Sequence, residues 1–174
     1  PASLPIAVSP VLVGAAVAFH QQGQLPPLLT LTALLCALLM QLITNLQNDV
    51  GYTQRGGEKL SNRTGLPRAT AEGWLTPHTV RRAIAALSLL ALGLGLLLCY
   101  WRGWPVLALG AASLLAALAY MGGPRPIAYT PWGELTVFVF FGLVAVLGTE
   151  WLLSGQISVL GTLAAVAIGS LSAA

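Results

Sequence analysis

The chain has 174 residues, of which 56% are hydrophobic and 7% charged, with a mean hydropathy of +0.81 and a formal net charge of +3. Ordinary soluble domains carry about 25% charged residues, so this composition leaves too little polar surface to coat a water-soluble body and makes the bilayer the solvent. Six of the eight basic residues, Arg55, Lys59, Arg63, Arg68, Arg81 and Arg82, fall between Val50 and Ala83 without aromatic interleaving, which argues against nucleic acid and for a topology signal joined to an anion-binding patch.

A spanning helix needs roughly 20 mostly apolar residues. The gaps between charges offer six candidates, at about Leu4–Phe19, Leu28–Asn48, Pro77–Trp101, Trp104–Tyr120, Gly133–Leu153 and Ile157–Ala174. The first is short and interrupted by Pro5 and Pro10. The second ends where the first charge of the chain, Asp49, follows an apolar run. There Gln41, Asn45, Asn48, Asp49 and Tyr52 succeed one another at helical offsets, forming one polar stripe. Such a stripe near hydrocarbon is costly unless it faces a cavity, a partner or a metal. The third candidate begins with Thr76 placed to cap free amides and Pro77 suited to the first turn. The fifth follows a Pro131-Trp132-Gly133 turn and carries Glu134 in its first turn, where a negative charge complements the helix dipole. Cys36 and Cys99 lie within apolar segments and read as packing thiols. The fold class expected is an all-α membrane protein, a single transmembrane helical domain over residues 1–174.

Six spans put residues 49–76 and 121–133 on one face of the membrane and the Trp101–Gly103 turn on the other. Seven basic residues fall on the first face and Arg102 alone on the second, which makes the first face cytoplasmic. That face holds two chemical constellations. In the first, Asn45, Asn48 and Asp49 offer hard oxygen donors suited to Mg²⁺, which is commonly held by one or two carboxylates plus phosphates and water. Arg55, Lys59, Arg63 and Arg68 follow and can take phosphate charge, while Gly51, Gly56, Gly57 and Gly65 permit close backbone approach to a ligand. The bland alternative stays open: interhelical hydrogen bonds for the asparagines, a helix-end role for Asp49 and topology for the arginines.

The second constellation runs from Tyr120 through Gly122-Gly-Pro-Arg125-Pro-Ile-Ala-Tyr129 to Glu134. It is rich in proline and glycine and holds one cation, Arg125, as a phosphate partner. Tyr120 and Tyr129 supply aromatic walls able to stabilise a developing allylic cation, or else belong to the interfacial aromatic belt. Glu150, near the opposite end of the fifth span, reads as an interfacial group. His20 and His78 have interfacial or helix-start readings.

Asn45-x-x-Asn48-Asp49 with Arg55-Gly-Gly-Glu58, Arg63-Thr-Gly-Leu-Pro-Arg68-Ala, the Gly122–Tyr129 loop and the run from Gly133 through Gly142 together resemble the UbiA superfamily of intramembrane prenyltransferases. The branch most resembled is the 1,4-dihydroxy-2-naphthoate polyprenyltransferases of menaquinone biosynthesis. The resemblance implies a bundle of about nine helices, a polyprenyl diphosphate donor, an aromatic acceptor, Mg²⁺ and a lipid bilayer around the protein. Carried over by position, it places Asn45, Asn48 and Asp49 in the first metal and diphosphate motif. Arg68, Arg125 and Tyr129 then surround the pocket; Arg55, Lys59, Arg63 and Tyr120 remain substrate-binding candidates from the two constellations themselves. Where the family carries a further motif aspartate this chain has Tyr52, and Glu58 is the expected replacement at the metal. The chain reaches Ala174 before the family's second aspartate-rich motif, so these residues are expected to be the first two-thirds of such an enzyme. Two other functions compete: prenyl transfer to a 4-hydroxybenzoate or chlorophyll-type acceptor, and a non-catalytic transporter or scaffold subunit. A transporter should show repeats and broken helices at the midplane, whereas here the polar groups gather at one surface.

Overall fold

The computed structural model describes residues 4–55 and 68–174, and those residues form helices with no strand. In chain order the helices are α1 (Leu4–Gln22), α2 (Pro27–Gln54), α3 (Pro77–Arg102), α4 (Trp104–Met121), α5 (Trp132–Ser154) and α6 (Val159–Ala173), with a short 3₁₀ turn at Ile127–Tyr129. The first five are long and apolar enough to cross a membrane, and α6 is a shorter apolar helix. Five such helices in a chain with so little charge describe an integral membrane protein. Its lipid-facing surface follows from the exposed leucines of α3 and α6, among them Leu89, Leu96, Leu163 and Leu171.

Local chemistry sets the helix limits. The Thr76 hydroxyl accepts the Thr79 amide at 3.2 Å and Pro77 occupies the first position of α3, as the sequence predicts. The Ser158 hydroxyl likewise accepts the Gly161 amide at 2.9 Å and caps α6. Gly103 and Gly155, both at φ +79, make the tight reversals that end α3 and α5. Pro5 and Pro10 do not stop α1, which runs through both; Pro5 stands in the first turn, where no helical amide bond is lost.

Two groups of helices meet along α1 and α2. On one side α2, α3 and α4 pack together around Ile43, Val50, Val80, Ile84 and Leu114. On the other α5 lies along α6 and α1, and the shared core of Val11, Ala15, Ala18, Leu29, Leu98 and Leu152 joins the groups. The α5–α6 contact is backbone-close: a Cβ on Gly142 would stand 2.6 Å from both the Ala165 carbonyl oxygen and the Gly169 Cα. The middle of α5, Phe138–Leu147, is wound as a π-helix, whose wider turn changes which side chains face inward.

The ends of the bundle separate cleanly. At one end Gln22 Nε2 donates to the Ser154 carbonyl at 2.9 Å and Arg102 Nε to the Leu152 carbonyl at 2.7 Å, gathering the ends of α1, α3 and α5. At the other, the end of α2, the start of α3 and the loop between α4 and α5 come together, so both chemical loops share one end.

Candidate active site

The polar stripe of α2 divides its work. Gln41 is buried, with Nε2 donating to Asn45 Oδ1 at 3.2 Å. Together with Thr44 and Asn48 these residues line a cavity of about 470 Å³ whose remaining wall is mostly apolar and includes Leu114, Phe140, Phe141 and Val144. Asn48 Oδ1 is buried there without a hydrogen-bond partner. An unpartnered buried carbonyl costs about 1–3 kcal/mol, and this one lies beside the cavity that Asn48 lines.

Asp49, next in the stripe, turns to the first loop. Its carboxylate accepts the amides of Ala69 and Thr70 at 2.9 and 3.0 Å and the Thr70 hydroxyl in a short bond. The Thr53 and Thr70 hydroxyls lie 2.7 Å apart beside it. The chain is thereby brought back to α2 with Arg68 against Tyr52: the guanidinium carbon stands 4.0 Å from the ring centroid. Tyr52 meets Tyr129 of the second loop edge to face, at 6.1 Å between centroids. A continuous arrangement of Asp49, Arg68, Tyr52 and Tyr129 therefore spans the two loops. Partial desolvation, then the neighbouring Tyr52, raises the Tyr129 phenol above its ordinary range, which keeps its hydroxyl protonated.

Arg55, expected on the substrate, donates through Nη1 to the carbonyls of Gly51 at 2.9 Å and Met121 at 2.8 Å, and through Nη2 to that of Gly123 in a short bond. Arg125 is exposed on the second loop. Tyr120 lines both the apolar cavity and a smaller hollow of about 370 Å³ that also includes Glu134 and Thr130. Glu58, Lys59 and Arg63 lie outside the described residues.

Among the described residues no three His, Cys, Asp or Glu side chains gather as a metal cage. The asparagine oxygens near the end of α2 face the cavity, with Asn48 Oδ1 buried and unpartnered, whereas the Asp49 carboxylate is engaged by Ala69 and Thr70; Mg²⁺ is commonly held by one or two carboxylates with waters and substrate phosphates.

The far end corrects one expectation. Glu150, read as interfacial, is fully buried, 0% exposed, where α1, α5 and the start of α6 meet. Its Oε1 accepts Gln21 Nε2 at 2.6 Å and the Ser158 amide at 2.9 Å. It thus ties the first turn of α6 to α1, where the helix dipole favours a negative group. Sequence reading also overlooks Thr70 as the partner of Asp49, because nothing in a lone threonine signals a contact across the loop. Phe140 and Phe141 escape notice too, since an unbroken apolar run hides which face a π-helix turns inward.

A family model described as the UbiA prenyltransferase family matches residues 7–174. The 1,4-dihydroxy-2-naphthoate octaprenyltransferase of Escherichia coli (strain K12) is 36% identical over 158 residues, covering 87% of this chain and 51% of that protein. The protein of the same name from Mycobacterium tuberculosis is 38% identical over 176 residues, covering 99% of this chain and 58% of its own length. A 2-carboxy-1,4-naphthoquinone phytyltransferase from Synechocystis is 31% identical over 146 residues, 81% of this chain and 45% of that protein. The chain thus spans about half the length of the curated relatives it matches. No solved structure matches.

Proposed function

The chain belongs to the UbiA prenyltransferase family, and from that premise we propose that the whole protein transfers a polyprenyl group from polyprenyl diphosphate to 1,4-dihydroxy-2-naphthoate in menaquinone biosynthesis. Relatives carrying that octaprenyltransferase name align with nearly all of this chain, which favours the naphthoate over other aromatic acceptors. The observation that carries the reading is the meeting of Asn45, Asn48 and Gln41 with a largely apolar cavity. Hard oxygen donors at one end of a hydrocarbon-lined space suit an amphiphile with an anionic head and an isoprenoid tail.

In this reading Asn45, Asn48 and Asp49 would hold Mg²⁺, with Glu58 as the expected additional ligand, and the ion would supply charge neutralisation of the diphosphate leaving group. Lys59, Arg63 and Arg68 of the first loop and Arg125 of the second draw the phosphate oxygens to the loop end and so favour departure of the diphosphate. As the allylic C–O bond breaks, the faces of Tyr129 and Tyr120 stabilise the carbocation. The electron-rich acceptor ring then forms the new C–C bond, and its carboxylate leaves as CO₂, restoring aromaticity. The apolar cavity wall keeps water from capturing the cation first. The excess of basic residues in these loops favours the cytoplasmic side of the membrane for this end of the bundle.

Membranes containing the full-length protein, supplied with octaprenyl diphosphate, Mg²⁺ and either 1,4-dihydroxy-2-naphthoate or 4-hydroxybenzoate, test the reading by mass spectrometry of the extracted lipid. Prenylated, decarboxylated naphthol from the first acceptor alone is expected. Transfer to 4-hydroxybenzoate instead, or to neither acceptor, overturns it.

A further inference from the structure

The basic residue closest in sequence to Asp49 is committed to main-chain carbonyls. Arg55, at the end of α2, directs its guanidinium onto three main-chain carbonyls: Gly51 on its own helix, Met121 at the end of α4, and Gly123 in the loop that carries Arg125 and Tyr129. Carbonyls at the ends of two helices carry partial negative charge, so a cation among them is favoured twice over. A planar fork with several donors can hold diverging carbonyls that a point charge cannot.

The backbone around this junction leaves little slack. A Cβ on Gly51 would stand 2.7 Å from the Met121 carbonyl oxygen. A Cβ on Gly122 would strike the Leu118 carbonyl and come within 3.0 Å of Gln47 Nε2. Helices α2 and α4 therefore touch backbone to backbone, and the second loop leaves from the point of contact. Beyond it Tyr129 rests edge-on against Tyr52, which itself carries Arg68 on its face.

We propose that Arg55 is a positioning residue, a clasp that fixes the second loop on the end of α2 and so holds Tyr129 against Tyr52, rather than a ligand of the diphosphate. This role rests on the prenyl-transfer reading only for its kinetic consequence; the clasp itself is a property of the protein without substrate. A phosphate ligand contributes chiefly to donor binding, whereas a clasp on the loop that holds the reacting carbon acts on the turnover step.

Hydrogen exchange of the full-length protein without substrate, for Arg55→Gln and the charge-keeping Arg55→Lys, separates the two, alongside steady-state kinetics with octaprenyl diphosphate. The clasp predicts roughly tenfold faster exchange across residues 122–129 in both variants, a fall in kcat of about tenfold and a donor KM within about twofold of the parent. Unchanged exchange in that segment overturns the clasp whether or not the protein transfers prenyl groups. So does a donor KM that rises about tenfold in Arg55→Gln and is restored by Arg55→Lys.

Discussion

Asp49 and Thr70 share three hydrogen bonds: the carboxylate of Asp49, near the end of α2, accepts the Thr70 amide at 3.0 Å and its hydroxyl in a short bond, and the Asp49 main-chain carbonyl accepts the same hydroxyl at 3.2 Å. Ala69 adds a further amide at 2.9 Å. The same carboxylate that the metal reading needs therefore also closes the first loop onto α2, delivering Arg68 to the face of Tyr52. Two functions on one carboxylate are compatible, because each oxygen accepts more than one bond.

Thr70→Val separates those functions. It removes the hydroxyl but keeps the amide bonds and the charge, so it should cost about 0.5–1.5 kcal/mol of stability. In a chain of this size that corresponds to roughly 1–6 °C in the thermal unfolding midpoint. Thermal unfolding of the purified protein in detergent checks the value.

Asn48 makes the opposite kind of prediction. Its Oδ1 is buried and unpartnered beside the cavity, so Asn48→Leu removes a desolvation cost and fills apolar space. The variant should be as stable as the parent or more stable by about 1 kcal/mol. Its prenyl transfer should fall by about tenfold or more. Equal turnover together with a lowered unfolding midpoint would show that Asn48 serves the fold instead.

How far the sequence announces this arrangement depends on the range of the interaction. Thr76, Pro77 and the apolar runs act within a turn or two, and the cap of α3 and six apolar helices appear in the structure, although α2 continues past Asn48 to Gln54 and the last helix, Val159–Ala173, is shorter than a span. The stripe of Gln41, Asn45 and Asn48 is helical geometry alone, and all three side chains do line one cavity. Partners far apart in the chain are another matter. Glu150 looks interfacial because it lies near the end of an apolar run, yet α1 and α6 close over it and supply Gln21 and the Ser158 amide. Arg55 looks like one more phosphate cation until Met121 and Gly123 arrive from the other loop. Charge type was readable locally, whereas the choice among partners belongs to tertiary packing.

At the far end, Glu150→Ala strands Gln21 and the Ser158 amide and should destabilise the protein by about 1–3 kcal/mol. Gly161→Ala should act in the same direction, because its Cβ would collide with the Glu150 carboxyl, an overpacking cost of about 1–3 kcal/mol. Both are remote from the α2 stripe, so turnover per folded molecule should hold. Unfolding midpoints and activity normalised to folded protein check the pair.

Close packing of α5 on α6 gives a further test. Gly142→Val puts a branched side chain where a single Cβ already stands 2.6 Å from the Ala165 carbonyl oxygen. It should part the helices and reduce the yield of folded protein, at a cost of about 3 kcal/mol or less. The π-wound segment lines the cavity through Phe140 and Phe141, so prenyl transfer should fall as well.

The central claim is that the oxygen donors at the end of α2 hold the cation paired with diphosphate. The most direct measurement is Mg²⁺-titrated prenyl transfer by the full-length protein carrying Asp49→Asn, with Thr70→Val as the control for the loop closure. A loss of about 100-fold in Asp49→Asn, against about fivefold or less in Thr70→Val at equal folded protein, is the predicted result. Turnover in Asp49→Asn equal to the parent across the Mg²⁺ range would contradict it.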